Sequence, residues 1–167
     1  MDIFLERIIN KKKDTFDKVI IFGSIVLALV LTTAIISIIG PYGFSFILIM
    51  GVAYLAYYII SSRRIEYEYA LTNGDLDIDK IVAQRKRKRV ISANCKEFEI
   101  FARLTGDKQN IATGEGATII KAVSSMDSGS VYFFTLNQKG KKTIVYFEPD
   151  DRMLNAIKTI VSRKVFQ

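Results

Sequence analysis

Five consecutive cations, Arg85, Lys86, Arg87, Lys88 and Arg89, form the sharpest local feature of the chain. Such a run attracts anions: acidic lipid headgroups, nucleic acid, or carboxylates of neighbouring strands. Carboxylates are at hand in Glu66, Glu68, Asp77 and Asp79, shortly before the run. On a strand, Arg85, Arg87 and Arg89 point to one side and Lys86 and Lys88 to the other. One set can then pair across strands, each pair contributing from a few tenths to about 1 kcal/mol. Near an anionic membrane surface each cation would instead gain ~1 kcal/mol. The residues leave both roles open. Nucleic acid is disfavoured, because no nucleic-acid-binding motif accompanies the charge.

Catalysis has little to work with. The chain has no His and a single Cys, Cys95. That excludes a His-based triad, a Cys/His zinc site and an intramolecular disulfide. The four carboxylates lack the compact ligand loop of a calcium site and read as a solvated face. Gly114-Glu115-Gly116 is a lone GxG with no helix pattern behind it, a weak phosphate cradle. Cys95 reads as a small core residue. No catalytic residue, metal ligand or cofactor is expected, and the chain is not expected to be an enzyme.

The elements that carry these residues divide sharply. The 167 residues include 24 Lys plus Arg and 17 Asp plus Glu, yet residues 19–62 contain none of them. This split excludes an ordinary soluble globule, and the apolar content on both sides excludes disorder. Residues 19–39 reach about 30 Å as a helix, the thickness of the hydrocarbon layer. Gly40-Pro41-Tyr42-Gly43 is a stop and turn, and residues 43–60 form a second span. The expectation is a transmembrane helical hairpin over 19–62. Lys11, Lys12, Lys13 and Lys18 flank the first span, and Arg63 and Arg64 follow the second. Positive flanks stay inside, so the chain is expected in the cell membrane, multi-pass, with both termini cytoplasmic. Tyr54, Tyr57 and Tyr58 lie toward the inner end of the second span and suit either an interfacial belt or helix packing. Ser24 and Ala28 are a small-xxx-small pair suited to packing within the hairpin. The apolar stretch is too long and starts too late for a cleaved signal peptide.

Residues 1–18 form an N-terminal cytosolic segment. Its apolar Ile3, Phe4, Leu5, Ile8 and Ile9 and polar Asp2, Glu6, Arg7 and Asn10 are spaced as a short amphipathic helix. That helix would lie on the inner membrane surface or against the cytosolic domain.

Residues 63–167 carry net positive charge and suffice for one core. Ile65, Tyr67, Tyr69 and Leu71 alternate with Glu66, Glu68 and Ala70, a half-buried strand. Asn73-Gly74 marks a two-residue hairpin, with 76–83 returning and Leu71 opposite Leu76. Further strands are expected at 88–93, 97–104, 117–123, 131–136 and 143–147, with a turn at Gln138-Lys139-Gly140 and a long loop over 105–116. Asp150 can cap a last helix over 150–163, whose apolar stripe is Met153, Leu154, Ile157, Ile160 and Val161. The absence of strand–helix alternation disfavours a parallel α/β sheet. The fold class expected is a membrane α-helical hairpin followed by a mainly-β domain of about seven antiparallel strands and a C-terminal helix.

Seven strands and a closing helix is the order of the pleckstrin-homology-like (PH-like) fold. Arg64-Ile65-Glu66-Tyr67-Glu68-Tyr69-Ala70-Leu71-Thr72-Asn73-Gly74-Asp75-Leu76 resembles the opening hairpin of bacterial versions, and the basic run resembles the segment after it. With its MDIF start and Lys run, the whole chain resembles an uncharacterised family of two-span membrane proteins from Gram-positive bacteria. The resemblance implies architecture and location rather than chemistry. The basic run follows the second strand instead of lying between the first two, so the phosphoinositide site of eukaryotic relatives does not carry over. The implied role is a membrane-anchored binding or scaffolding module at the cytoplasmic face, with a protein partner or anionic lipid headgroups. The alternative is an accessory subunit of a membrane complex, recognised through its hairpin.

Overall fold

Two long apolar helices and a β-rich region ending in a helix make up the chain. The computed structural model describes residues 4–104, 117–138 and 140–161. The element order is β1 (Phe4–Asn10), α1 (Thr15–Ile39), α2 (Gly43–Ser62), β2 (Ile65–Thr72), β3 (Asp75–Val82), β4 (Lys86–Asn94), a short 3-10 turn (Cys95–Glu97), β5 (Ile100–Arg103), β6 (Thr118–Lys121), β7 (Tyr132–Gln138), β8 (Lys141–Phe147) and α3 (Asp151–Ile160). The expected loop over 105–116, including Gly114-Glu115-Gly116, lies outside the described residues, as do Lys139 and positions 162–163 of the expected last helix. The chain divides into two compact units that are not contiguous in sequence. One holds Lys12–Ile65 with Val82–Arg85, and the other holds the remaining strands and α3.

In the first unit, α1 begins four residues before the expected span. Asp17 in its first turn accepts a hydrogen bond from the Asp14 N–H at 3.3 Å, which stabilises this earlier start. At about 1.5 Å per residue, the 25 and 20 residues of α1 and α2 are each long and apolar enough to cross a membrane. Their apolar side chains, Phe22, Ile38 and Phe46 among them, are left uncovered. The hydroxyls of Ser24 and Thr32 donate to the carbonyls of Ile20 and Ala28 one turn back, at 2.7 and 2.8 Å. These bonds satisfy both hydroxyls within the helix itself. Gly40 ends α1 at φ +82, a backbone angle that L side chains rarely adopt. Ser24 and Ala28 lie across from Val52 and Ala56 of α2 along a groove of about 160 Å³. Asp17 is buried and lies 3.9 Å from Arg63 at the end of α2, linking the two ends of the hairpin.

In the second unit, two four-stranded sheets have the orders β1-β2-β3-β4 and β5-β7-β8-β6. The expected amphipathic helix at the N-terminus is instead β1. It pairs antiparallel with β2 from Phe4↔Thr72 to Asn10↔Glu66. The physical reason is the edge of β2, whose unpaired N–H and C=O groups need a partner. The β-branched pair Ile8-Ile9 suits that pleat. Ile9 is buried and Ile8 is exposed, the alternation of a strand rather than the stripe of a helix. Eight strands therefore stand among the described residues, against about seven expected. The pairing is also not wholly antiparallel. β6 runs parallel to β8, from Thr118↔Thr143 to Lys121↔Tyr146. A parallel neighbour needs a crossover. Residues 122–131 and β7 provide it, and Val123 and Val131 pack on Phe133, Ile144 and Tyr146.

The expected apolar character of β7 and β8 on both faces reflects this covering. The other face meets the first sheet. Phe98 stacks on Phe134 with centroids 4.1 Å apart, and Phe147 forms T-shaped pairs with Tyr69 and Phe134. The Asp150 side chain accepts from the Met153 N–H at 2.8 Å, the expected cap, and Met153, Leu154 and Ile157 of α3 are buried.

Candidate functional site

Alternation along β2 and β3 puts Tyr69, Leu71, Leu76 and Ile78 in the core. It leaves Glu68, Asp77 and Asp79 on the other face. Glu68 and Asp79 are nonetheless only 6% exposed each, because guanidinium groups of β4 cover them. Arg87 pairs with Glu68 and lies 3.9 Å from Asp79. Arg89 pairs with Asp79 and reaches Asp77 at 2.7 Å. The hydrogen bond to Asp79 is the main cause that raises the Arg89 pKa. Two of the five cations of the basic run are thus neutralised by the cross-strand carboxylates. Lys86 and Lys88 are exposed on β4.

Arg85 behaves differently, because Val82–Arg85 belongs to the unit of the helical hairpin. Its Nη2 donates to the Tyr57 hydroxyl at 3.1 Å, and its guanidinium carbon lies 5.7 Å from the Tyr57 ring centroid. This is a cation–π geometry. The turn that delivers Arg85 is closed by the Arg85 N–H donating to the Val82 carbonyl at 3.1 Å. Ala83 and Gln84 hold φ of +54 and +55, and the Ala83 N–H donates to the Arg64 carbonyl at 2.8 Å. Together these residues enclose a notch of about 300 Å³, lined by Tyr57, Ile60, Ser61, Arg64 and the 83–85 turn. That volume is at the lower end for ligand pockets. Two guanidinium-bearing residues, a phenol and a hydroxyl line it, and no carboxylate does among the described residues.

The cations that flank the two apolar helices separate in the same way. Lys11, Lys12 and Lys13 precede α1, Lys18 sits in its first turn, and Arg63 pairs with Asp17. Arg64 alone of these lines the notch. Two other titratable groups are structural. The buried Tyr69 hydroxyl donates to the Ala122 carbonyl and accepts from the Glu148 N–H at 3.2 Å, and burial raises its pKa. The buried Glu148 carboxylate accepts from the Ser124 N–H and hydroxyl at 3.1 and 2.9 Å. Cys95 is buried, and its thiol is pushed up to about 12 by desolvation and secondarily by Asp75, which suits a core residue and not a nucleophile.

Sequence reasoning placed Tyr57, Arg64 and Arg85 in separate roles and did not join them. The Ala83-Gln84 turn and the Asp17–Arg63 pair escaped it. Asp17 had a legible signal, as an acid beside an uncharged span; the turn had none, since neither residue type favours positive φ. A family model described as Bacterial PH-like domain (DUF6106) matches residues 1–167. No curated protein and no solved structure matches the chain.

Proposed function

Because the chain belongs to the bacterial PH-like domain family (DUF6106), we propose that it is a membrane-anchored, non-enzymatic binding or scaffolding module at the cytoplasmic face. PH-like domains commonly bind lipids or proteins, and α1 and α2 supply the anchor. The observation that carries this reading is the hairpin, two helices of spanning length whose apolar side chains the protein leaves uncovered. The strand pair β1–β2 supports the topology. Its two strands flank the hairpin in sequence, so they meet only if both flanks lie in one compartment. Positive flanks at Lys11, Lys12, Lys13, Lys18, Arg63 and Arg64 favour the cytoplasm. The binding role, rather than turnover, is supported by how the polar groups are used. Arg87, Arg89 and the carboxylates pair with one another, and Cys95 is buried.

The test is extraction and orientation of the full chain. Alkaline carbonate is expected to leave it in the membrane pellet, and a reporter on the last residue to be active only inside the cell. Release by carbonate, or an outward reporter, defeats the reading. A second reading, an accessory subunit recognised through its spans, is favoured by the exposed groove at Ser24, Ala28, Val52 and Ala56. Replacing the hairpin with an unrelated one distinguishes the two: partner capture that survives the swap rejects the second.

A further inference from the structure

We propose that the notch formed by Tyr57, Ser61, Arg64, Gln84 and Arg85 binds the phosphate of an anionic phospholipid headgroup in the cytoplasmic leaflet. The site rests on the hairpin spanning the membrane as read above. It differs from the diffuse attraction of a five-residue basic run, because it uses one member of that run and excludes the two arginines already paired.

Charge is the first argument. Arg63 is paired with Asp17, and Arg87 and Arg89 with Glu68, Asp77 and Asp79. Arg64 and Arg85 line a cavity without an acidic residue among those described. A phosphate there is bordered by two arginines, a residue type whose planar guanidinium fork matches phosphate oxygens. Pre-organisation is the second. The Tyr57 ring and hydroxyl hold Arg85 in place through neutral contacts, so its position is set and its charge is not consumed. Ala83 and Gln84 occupy a backbone region costly for their types, at the wall of the notch. Strain retained at one place in a sheet is the pattern of a functional constraint.

Depth decides between a lipid and a dissolved phosphate. The 20 residues of α2 rise about 30 Å, so its last turn lies at the edge of the hydrocarbon layer. Tyr57 and Ile60 stand at that edge, with Arg64 just past the helix end. A phospholipid whose acyl chains lie along α2 carries its phosphate to this level. A free phosphate gains nothing from the apolar wall.

The experiment uses the full-length chain in nanodiscs of phosphatidylcholine doped with phosphatidylglycerol, transferred to neutral detergent, with retained lipid read by native mass spectrometry. Phosphatidylglycerol is expected to be retained in preference to phosphatidylcholine. Arg85→Gln is expected to lower that retention about fivefold, the equivalent of ~1 kcal/mol for one cation at an anionic surface. Arg64→Gln should act likewise, and it carries the test if the first variant fails to fold by near-ultraviolet circular dichroism. Arg85→Lys should retain more lipid than Arg85→Gln. The exposed Lys86→Gln and Lys88→Gln should leave retention unchanged. Equal retention of both lipids overturns the proposal, as does an equal loss in the two lysine variants. Displacement of the lipid by millimolar inorganic phosphate or glycerophosphoglycerol would assign the notch to a soluble ligand and overturn the lipid source. Carbonate extraction of the same preparation separates the two readings. A chain that stays embedded yet retains no phosphatidylglycerol defeats this proposal alone.

Discussion

Two tight hairpin turns in one sheet reach similar backbone angles by opposite means. Between β2 and β3, Asn73 and Gly74 hold φ of +50 and +100, and these residue types adopt that region readily. Between β3 and β4, Ala83 and Gln84 hold +54 and +55, where each L side chain costs on the order of 1 kcal/mol. The first turn is specified locally. The second is held by distant groups: the Arg64 carbonyl on Ala83, the Tyr57 hydroxyl on Arg85, and the carboxylates that fix β4 through Arg87 and Arg89. Where a turn borders the notch, local preference yields to position.

If β4 is fixed by pairing and not by its turn, unpairing it must do the most harm. Arg89→Ala uncovers Asp79 and is expected to destabilise the full chain by about 3 kcal/mol, the low end for a broken buried pair because Arg89 is half-exposed. Denaturant titration in micelles, followed by tyrosine fluorescence, measures this; a loss below that of the turn variants would reverse the ordering. Next comes Gly74→Val, which forces a β-branched residue to φ +100 and should cost about 2 kcal/mol. The converse graft, Ala83→Asn with Gln84→Gly, should raise the unfolding midpoint by the equivalent of about 1 kcal/mol. No gain would mean the second turn is unstrained. Tyr57→Phe keeps the ring under Arg85 and loses one exposed hydrogen bond, an effect of about 0.5 kcal/mol at most.

A pH titration sharpens the contrast and moves nothing at neutrality. The Cys95 N–H donates to the Gly74 carbonyl at 2.8 Å, so this thiol sits beside the first turn. It ionises near 9 when unfolded and is pushed up to about 12 by burial. Its contribution is complete below pH 9 and is lost as pH rises toward 12. Cys95→Ala should flatten the alkaline decline of thermal stability over that interval. The portion that remains reflects Tyr69 and Tyr146, whose hydroxyls burial also raises.

Much of the fold was legible because periodicity carries it. The period of two in β2, the Asn73-Gly74 signal and the stripe of α3 each translate one physical preference into one element. The uncharged stretch announced the hairpin by length alone. β1 was misread because Phe4, Leu5, Ile8 and Ile9 satisfy a helical stripe, while a vacant sheet edge encoded far downstream decides the matter. The parallel β6–β8 pair is likewise a tertiary outcome that no local pattern states. Of the notch, the residue types were visible and their meeting was not. Tyr57 and Arg85 are 28 positions apart, and their contact depends on a turn whose own residues argue against it.

The β1–β2 pairing also sets an order of events during synthesis. The first strand leaves the ribosome more than fifty residues before its partner and has nothing to add to until residue 72 has appeared. A contact this remote in sequence forms late. On the proposed topology membrane insertion comes first, and strand closure afterwards acts as a check upon it: a nascent chain whose helices went in with the wrong parity would leave Phe4–Asn10 without the edge of β2 to pair with.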